Sequence, residues 1–378
     1  MSSYKRYNYE PYEDTVQDTD VHRVKRFQRK SGIRKKKVNY LKLIILLAVA
    51  FFLLKPCAVK VYNYTVLNNL RNHKVKVDTS EITNEATKVL ANTHFLGKNF
   101  IGDVSTKPLM TQLTLNKEMP ILKSNLEYLA SQYPNLTPGI FIWDYQTHNY
   151  VSINGDMQTS AASIIKVPIL LQMFKRIETT ELDLYEKFNM TSYYRTGGSG
   201  YLQYRPEGAA FEMNDLANYM IRTSDNTATN MILSAVGGTE EMNSALRNWG
   251  FSKTYIRTWL PDLYGTNVTT PKDMATILYN ADNPEFLTLE NRSKIVEIMS
   301  KVKNTSLLKQ GIPDSALLVH KTGDIGEMLG DVGVVTMPNG RRYIITVMVK
   351  RRWNDYSARQ LINEISSTVY NSFVHNNL

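Results

Sequence analysis

The sequence contains only one cysteine, Cys57, among its 378 residues. A single cysteine cannot form a disulfide within the chain or supply a cysteine-based metal site. The six histidines show no H-x-x-x-H or comparable spacing, the arrangement that places two imidazoles on one helix face. We therefore expect no protein-built metal site and no cofactor. The shortage of cysteine does not exclude an extracytoplasmic location, because a domain of this size does not need disulfides.

Net basic charge is small outside the N-terminal tail. The whole chain has a formal net charge of +10, and residues 1–42 hold 12 Lys and Arg against 5 Asp and Glu. Residues 60–378 carry a net charge of only +2. A nucleic-acid-binding domain carries its basic charge on the folded surface, so this distribution argues against a nucleic acid partner. The basic tail is better suited to anionic lipid or to a cytoplasmic protein partner.

Long apolar runs are few, and the clearest is Leu43–Leu54. Its flanks extend it to a possible span over residues 40–60, close to the roughly 20 residues that a bilayer requires. The basic residues before it predict a cytoplasmic N-terminus and an extracytoplasmic remainder, in a single-pass protein of the cell membrane. A cleaved signal peptide is the alternative. It is disfavoured because the preceding polar region is long and no small-x-small site follows closely.

These features divide the chain into four parts. Residues 1–39 are predicted to be a disordered cytoplasmic tail, residues 40–60 a transmembrane anchor, residues 61–117 a stalk or accessory segment, and residues 118–378 a folded domain. The folded domain reads as a helix, two strands, a block of helices, three strands and a final helix. The strands can form one antiparallel sheet, with the terminal helices on one face and the helical block on the other. This is an α+β architecture.

One short run in this domain combines a hydroxyl and an amine. Ser163-Ile-Ile-Lys166 lies in an apolar, helix-compatible segment. Positions i and i+3 share a helix face, so the two side chains are predicted to face each other. An amine in dry surroundings can lose its charge and accept the serine proton, which makes the serine a nucleophile. The pattern alone is weak, because Ser300–Lys303 and Ser306–Lys309 repeat it; we assign no chemistry to these two.

Two further motifs occur in an order and context that suit the same chemistry. Ser224-Asp225-Asn226 is predicted to lie between two helices, and Lys321-Thr322-Gly323 at the end of a strand that edges a cleft. Together with the S-x-x-K run, they resemble the motifs of class A β-lactamases and low-molecular-weight penicillin-binding proteins. The resemblance covers about residues 118–374. It implies the β-lactamase/transpeptidase-like fold, in which an antiparallel sheet is flanked by helices and an all-helical subdomain.

The resemblance also implies a role for each motif residue. Ser163 would be the acylated nucleophile, Lys166 its general base, and Ser224 the group that passes the proton to the leaving nitrogen. Asn226 would hold both Lys166 and the substrate amide. Backbone N–H groups of Ser163 and Asp324 would form the oxyanion hole. The residues implied to bind substrate are Asn226, Lys321, Thr322, Gly323 and Asp324.

Two departures from the family pattern narrow these expectations. Class A β-lactamases carry a glutamate for deacylation in the loop that corresponds to Arg257–Asn267, whereas this loop has Asp262 as its only carboxylate. We therefore expect a long-lived acyl-enzyme. The family also commonly places an arginine on the strand after the third motif, and Ile325–Met337 contains none. Asp324 and Glu327 lie there instead, which favours a substrate with a positive group, such as a stem-peptide amine or a D-alanyl ester.

The sequence thus predicts a membrane-anchored, extracytoplasmic serine hydrolase or acyl transferase. It would act on cell-wall-related peptide or acyl bonds through an acyl-enzyme at Ser163, and it would be acylated by penicillins. A true β-lactamase is the first alternative. A non-hydrolytic scaffold for envelope assembly is the second, and it is less favoured because a scaffold has no need of Lys166.

Overall fold

The computed structural model describes residues 110–179 and 181–378. The predicted tail (1–39), the predicted anchor (40–60) and most of the predicted stalk (61–117) lie outside these ranges, and their boundaries stay predictions. Within the described ranges, no helix combines the length and the apolar character that crossing a membrane requires.

The described strands and helices follow the predicted order, with some short additions. The strands are β1 (Thr137–Asp144), β2 (Tyr150–Ile153), β3 (Thr159–Ser160), β4 (Lys187–Asn189), β5 (Ala210–Glu212), β6 (Val268–Thr269), β7 (Leu317–Ile325), β8 (Met328–Thr336) and β9 (Arg342–Lys350). The α-helices are α1 (Pro120–Ser131), α2 (Lys166–Glu178), α3 (Met213–Arg222), α4 (Asn226–Ala235), α5 (Gly238–Asn248), α6 (Pro271–Ala281), α7 (Leu289–Met299) and α8 (Ser357–His375). Short 3₁₀ turns lie at Ala162–Ile165, Leu202–Tyr204 and Leu308–Gly311.

The main sheet has the strand order β2-β1-β9-β8-β7, and neighbouring strands are antiparallel. Its central strands are buried on both faces, because successive side chains point to opposite sides. In β1, Ile140 and Ile142 contribute to one apolar cluster, whereas Phe141 and Trp143 contribute to the other. Full burial of such side chains stabilises the fold by about 1.5–3 kcal/mol each.

The two clusters define the layers of the domain. One cluster joins the sheet to α1 and α8, for example through Leu126 and Ile365. The other joins the opposite face of the sheet to the block α2–α7, for example through Leu170 and Ile277. The predicted α+β arrangement, with terminal helices on one face and the helical block on the other, is therefore confirmed for the described domain.

Two short strand pairs were not predicted, because runs of two or three residues carry no clear alternation. One of them, β3 with β6, matters for the site. Thr159 pairs with Thr269 and Ser160 with Val268, which ties the chain just before Ser163 to the end of the 257–267 loop. Helix α6 then begins at once, with Pro271 in its first turn and the Thr270 hydroxyl accepting from the backbone N–H of Asp273 at 3.0 Å.

Candidate active site

Ser163 lies in the 3₁₀ turn Ala162–Ile165, which leads directly into helix α2. The residue before it, Ala162, has a φ of 43°. A residue with a side chain rarely adopts this left-handed conformation, and such strain is concentrated at functional sites. The edge strand β7 packs against the same turn. The nucleophile predicted from sequence is therefore presented between the start of a helix and the exposed edge of the sheet.

The side chain of Lys166 is fully buried and reaches across to the loop after α3. Its amine donates to the Ser224 hydroxyl at 3.1 Å and to Oδ1 of Asn226 at 2.8 Å. None of its hydrogen bonds goes to Ser163, the partner that the i,i+3 spacing predicted. Burial lowers the pKa of Lys166 well below its ordinary value, and the nearby charge of Lys321 lowers it further, against an opposing effect of Asp225. The neutral, proton-accepting form of Lys166 is thereby favoured.

The motif Ser224-Asp225-Asn226 forms the connection between α3 and the start of α4. Ser224 has a φ of 57°, so a second strained residue flanks the site. Asp225 is buried and structural: its carboxylate accepts from the backbone N–H of Ala228 at 2.9 Å and from that of Tyr201 at 2.6 Å. It thus both caps α4 and fixes the glycine-rich loop opposite. Asn226 holds Lys166, while its own amide group donates to the Gly197 carbonyl at 2.9 Å.

Lys321 approaches the same hydroxyl from the sheet. Its amine donates to the Ser224 hydroxyl at 3.1 Å and to the Thr322 carbonyl at 2.7 Å. Burial lowers the pKa of Lys321 to about 8, and the charge of Asp331 partly opposes this effect. The prediction that Lys321 ends its strand is wrong, because β7 stays paired with β8 as far as Ile325. Lys321 lies in the middle of an edge strand.

Gly323 has a packing role in the structure. A Cβ placed on it would lie 2.9 Å from Cγ1 of Ile164 and 3.1 Å from the carbonyl oxygen of Ala161. Any side chain here would push β7 away from the turn that carries Ser163. Gly323 does not line the cleft, and it supports the site by allowing close approach of the two elements.

A cleft of about 470 Å³ opens over Ser163. Five predicted site residues line it, and Lys166 and Asn226 lie beneath, joined to Ser224 by hydrogen bonds. Those five residues are Ser163, Ser224, Lys321, Thr322 and Asp324. Sequence reasoning missed most of the opposite wall, which consists of Gly198, Ser199, Tyr201, Ile221, Arg222, Thr223, Val302, Lys303 and Asn304. Arg222 could have been suspected from its place just before the second motif, whereas Lys303 belongs to an S-x-x-K pattern that we set aside.

The charges in the cleft differ from the sequence-based expectation. Arg222, Lys303 and Lys321 contribute cationic groups to its lining, and Asp324 is the one carboxylate there among the described residues. The Asp324 carboxylate is ion-paired with the guanidinium of Arg351, a residue just after β9. Asp324 therefore does not offer a free negative charge to a substrate. The cleft is suited to an anionic group, even though no arginine lies on the strand after the third motif.

The arrangement is that of a known enzyme family. A family model described as the β-lactamase enzyme family matches residues 121–373, more than half of the chain. The chain belongs to this family.

Individual proteins of known sequence or structure are similar to this domain. β-Lactamase VEB-1 of Pseudomonas aeruginosa is 25% identical over 260 residues, which cover 64% of this chain and 87% of that protein. A β-lactamase of Bacillus licheniformis is 25% identical over 245 residues, or 62% of this chain and 78% of that protein. The structure of PBP-A is 37% identical, with a TM-score of 0.68, and covers 70% of this chain and 100% of that chain. The protein is thus a serine hydrolase of the β-lactamase-like fold.

Asp262, the only carboxylate of the 257–267 loop, forms its hydrogen bonds within that loop. Its oxygens accept from the backbone N–H of Thr266 at 2.9 Å and from that of Asn267 at 2.6 Å, and its side chain is buried. It does not line the cleft over Ser163. This β-lactamase family member therefore has no loop carboxylate aimed at the nucleophile within the part of the chain that the structure describes.

Proposed function

We propose that this protein forms an acyl-enzyme at Ser163 with cell-wall-related peptide or acyl substrates, that penicillins acylate the same residue, and that the acyl group leaves slowly. The observation that carries the proposal is the convergence of two buried amines on the Ser224 hydroxyl, each at 3.1 Å. This network can move protons between a nucleophile and a leaving group. Asp262, the only carboxylate of the 257–267 loop, accepts hydrogen bonds within that loop and is not available to activate a hydrolytic water.

Acylation follows from the roles that these groups can take. The neutral Lys166 amine accepts the Ser163 hydroxyl proton as the oxygen attacks the substrate carbonyl and forms the new C–O bond. The oxyanion receives hydrogen bonds from the backbone N–H groups of Ser163 and Asp324. The carbonyl C–N bond then breaks. Ser224 gives its proton to the departing nitrogen and recovers one from Lys166, so that the proton balance closes.

The cationic wall fits the carboxylate that penicillins and D-alanyl peptides share. Lys321 in its charged form and the Thr322 hydroxyl would bind this carboxylate. Arg222 and Lys303 also line the cleft and would add attraction where the family more often uses an arginine on the next strand. Charge-assisted hydrogen bonds of this kind are roughly twice as strong as neutral ones.

Slow release of the acyl group is the second half of the proposal. The structure of a PBP-A variant has been solved as an acyl-enzyme complex with penicillin G. That variant is 36% identical to this chain, with a TM-score of 0.67. We expect a covalent complex of this type here, because Asp262 does not line the cleft over Ser163. An acyl group held in this way can be transferred to an amine or hydrolysed slowly.

A true β-lactamase is the second candidate function. It is favoured by the relatives VEB-1 and the Bacillus licheniformis enzyme, both of which are named β-lactamases. The two candidates share the acylation step and differ only in how fast the acyl-enzyme is hydrolysed.

A labelled penicillin separates the candidates. The full-length chain and its Ser163→Ala variant are incubated with the label, excess label is removed, and bound label is followed over time. Persistent labelling of the unmodified chain, with no labelling of Ser163→Ala, supports the acyl-transferase proposal. Rapid loss of label with multiple turnovers supports a β-lactamase, and no labelling at all points to the scaffold alternative.

We further propose that the protein is anchored by residues 40–60 with its active site outside the cytoplasm. The apolar run and its basic flank support this topology. Protease added to intact spheroplasts should then remove the domain that carries Ser163 and leave a short tail protected. Protection of the whole chain would contradict the proposal.

A further inference from the structure

A second recess opens beside the Ser163 cleft, with a volume of about 170 Å³. Its walls come from the end of the β7–β8 hairpin, from the 257–267 loop and from the segment after β9. The residues that matter are Leu263, Tyr264, Ile325, Glu327 and Trp353. No role in acylation falls to any of them.

The recess continues the active-site cleft along two stretches of chain. Ile325, in its wall, directly follows Asp324, which lines the cleft over Ser163. Ser160, also in its wall, precedes Ser163 by three residues and holds the Gly265 carbonyl through its hydroxyl at 3.0 Å. A strand advances about 3.3 Å per residue, so Ile325 lies about 13 Å along β7 from Lys321. The recess therefore lies further along the same edge strand that carries Lys321.

Two aromatic residues, Tyr264 and Trp353, line the recess, and the wall that carries Trp353 is held in place. The indole of Trp353 lies against Gly326, where an added Cβ would come within 2.3 Å of the ring. The Gly326 carbonyl accepts from Nε of Arg351 at 3.0 Å and from the backbone N–H of Asn354 at 2.8 Å, so this wall is anchored to the hairpin. Tyr264, at 92% exposure, and Trp353, at 69%, present their rings to solvent.

Glu327 supplies a negative charge in the wall of the recess. Its side chain is exposed, and it has neither an ion pair nor a side-chain hydrogen bond with any residue of 110–179 or 181–378. The neighbouring carboxylate, Asp324, is already paired with Arg351. Glu327 is therefore the carboxylate at this end of the site whose charge a ligand can neutralise.

We propose that this recess is a subsite for an ammonium group on the acyl side of the substrate. A carboxylate beside exposed aromatic rings is the combination that attracts an organic ammonium ion, through ion pairing and cation–π contact. The inference rests on the proposed function and adds a substrate class to it: acyl donors with a carboxylate for the Lys321 end and a terminal amine for the Glu327 end. The site thus recognises opposite charges on the two sides of the bond that Ser163 attacks.

Two penicillins with matched side chains test the subsite. One carries a 5-aminopentanoyl arm, and the other carries the same arm with its amine acetylated. We expect the full-length chain to be acylated about tenfold faster by the ammonium form at low salt. In Glu327→Gln the ratio of the two acylation rates should fall to about one, because only acylation by the ammonium form becomes slower. The control is Glu290→Gln, which removes an exposed carboxylate from the start of α7 and should keep the ratio of the unmodified chain.

The outcomes distinguish the subsite from the proposed function. Equal acylation of the unmodified chain by both penicillins, or a preference that survives Glu327→Gln, overturns the subsite while leaving acylation intact. If neither penicillin labels Ser163, the proposed function fails, and indole fluorescence decides the subsite instead. In that titration, 5-aminopentanamide but not its acetylated form should change the Trp353 emission, and the change should be absent in Glu327→Gln and in Trp353→Phe. Equal responses to the two amides overturn the subsite.

Discussion

Lys166 and Lys321 place their side-chain nitrogens at the same distance, 3.1 Å, from the Ser224 hydroxyl oxygen. Two charged amines around one hydroxyl repel each other, and the burial of both lysines disfavours both charges. Burial and the charge of Lys321 both lower the pKa of Lys166, whereas the charge of Asp331 partly opposes the effect of burial on the pKa of Lys321. Under the proposed function, Lys166 then acts as the neutral base, and Lys321 keeps its proton for the substrate carboxylate.

This division predicts a bell-shaped pH profile for acylation by penicillin. The rate constant should rise as Lys166 loses its proton, and it should fall above about pH 8 as Lys321 loses its charge. In Lys321→Met the acid limb should move to higher pH, because the charge that lowers the pKa of Lys166 is gone. Rate constants measured by stopped flow between pH 5 and 10 check this. An acid limb that moves to lower pH in the variant would contradict the assignment.

Replacement of the base gives the second prediction. Lys166→Met should lower the acylation rate by about 10²–10⁴-fold, the usual contribution of a general base. Lys309→Met is the matched control, because Lys309 belongs to another S-x-x-K pattern and is paired with the exposed Asp314 at 2.9 Å. The control should acylate at the unmodified rate. If the two variants acylate equally fast, Lys166 is not the base.

Much of this fold could be predicted from the sequence, because its long elements have clear periodicity. The three strands β7, β8 and β9 and the final helix α8 were expected in this order at the end of the domain. The family resemblance carried by the three motifs likewise implied that Ser163, Ser224 and Lys321 share one cleft, and all three line it. The periodicity of the long elements is a local pattern, so it can be seen in the sequence.

Contacts between distant segments could not be predicted from local patterns. Lys166 finds its partners 58 and 60 residues away, in a loop whose position depends on the packing of α3 and α4. The family resemblance implied the contact with Asn226 but not the hydrogen bond to Ser224. Asp324 is neutralised by Arg351 across the sheet. Lys303 reaches the cleft because the chain turns back after α7, where its backbone N–H donates to the Arg222 carbonyl at 2.9 Å. The separation of these residues along the sequence does not indicate that they are in contact.

The third prediction concerns Asp262. Asp262→Asn should lower the free energy of unfolding by about 1–3 kcal/mol, since one of the oxygens that accept the loop N–H groups becomes an amide nitrogen. The lifetime of the penicilloyl-enzyme should stay unchanged. Asp156→Asn, which removes a surface ion pair with Lys253, should change stability by less than about 0.5 kcal/mol. A much longer acyl-enzyme lifetime in Asp262→Asn would identify Asp262 as the hydrolytic base after all.

The fourth prediction is a stability change with pH. The pKa of Lys321 is about 8 in the folded protein, against 10.5 in the unfolded chain, so the unfolded state binds the proton more tightly between these values. The cost of burying the charge is fully present below pH 8 and is lost as the pH rises toward 10.5. Relative to Lys321→Met, the unmodified chain should gain about 3 kcal/mol over this window. Urea titrations at several pH values measure this gain. If the difference in unfolding free energy between the two proteins does not change with pH, the pKa of Lys321 is not lowered by folding.

Asp331 provides the last prediction, because it acts on the site from the far side of β7. Its buried carboxylate lies 2.9 Å from Nδ1 of His320 and accepts from the backbone N–H of Leu308 at 3.1 Å. Its charge raises the pKa of Lys321 against the effect of burial. Asp331→Asn keeps the shape and removes the charge, so the alkaline limb of the acylation profile should move to lower pH.

A general loss of stability must be separated from this electrostatic effect. Asp262→Asn is the control, since it weakens the fold without changing the charge near Lys321. If both variants move the alkaline limb equally, the shift is not electrostatic. If only Asp331→Asn moves it, a carboxylate outside the cleft keeps Lys321 charged, and the pH range over which the enzyme binds anionic substrates is set in part by the layer between the sheet and the terminal helices.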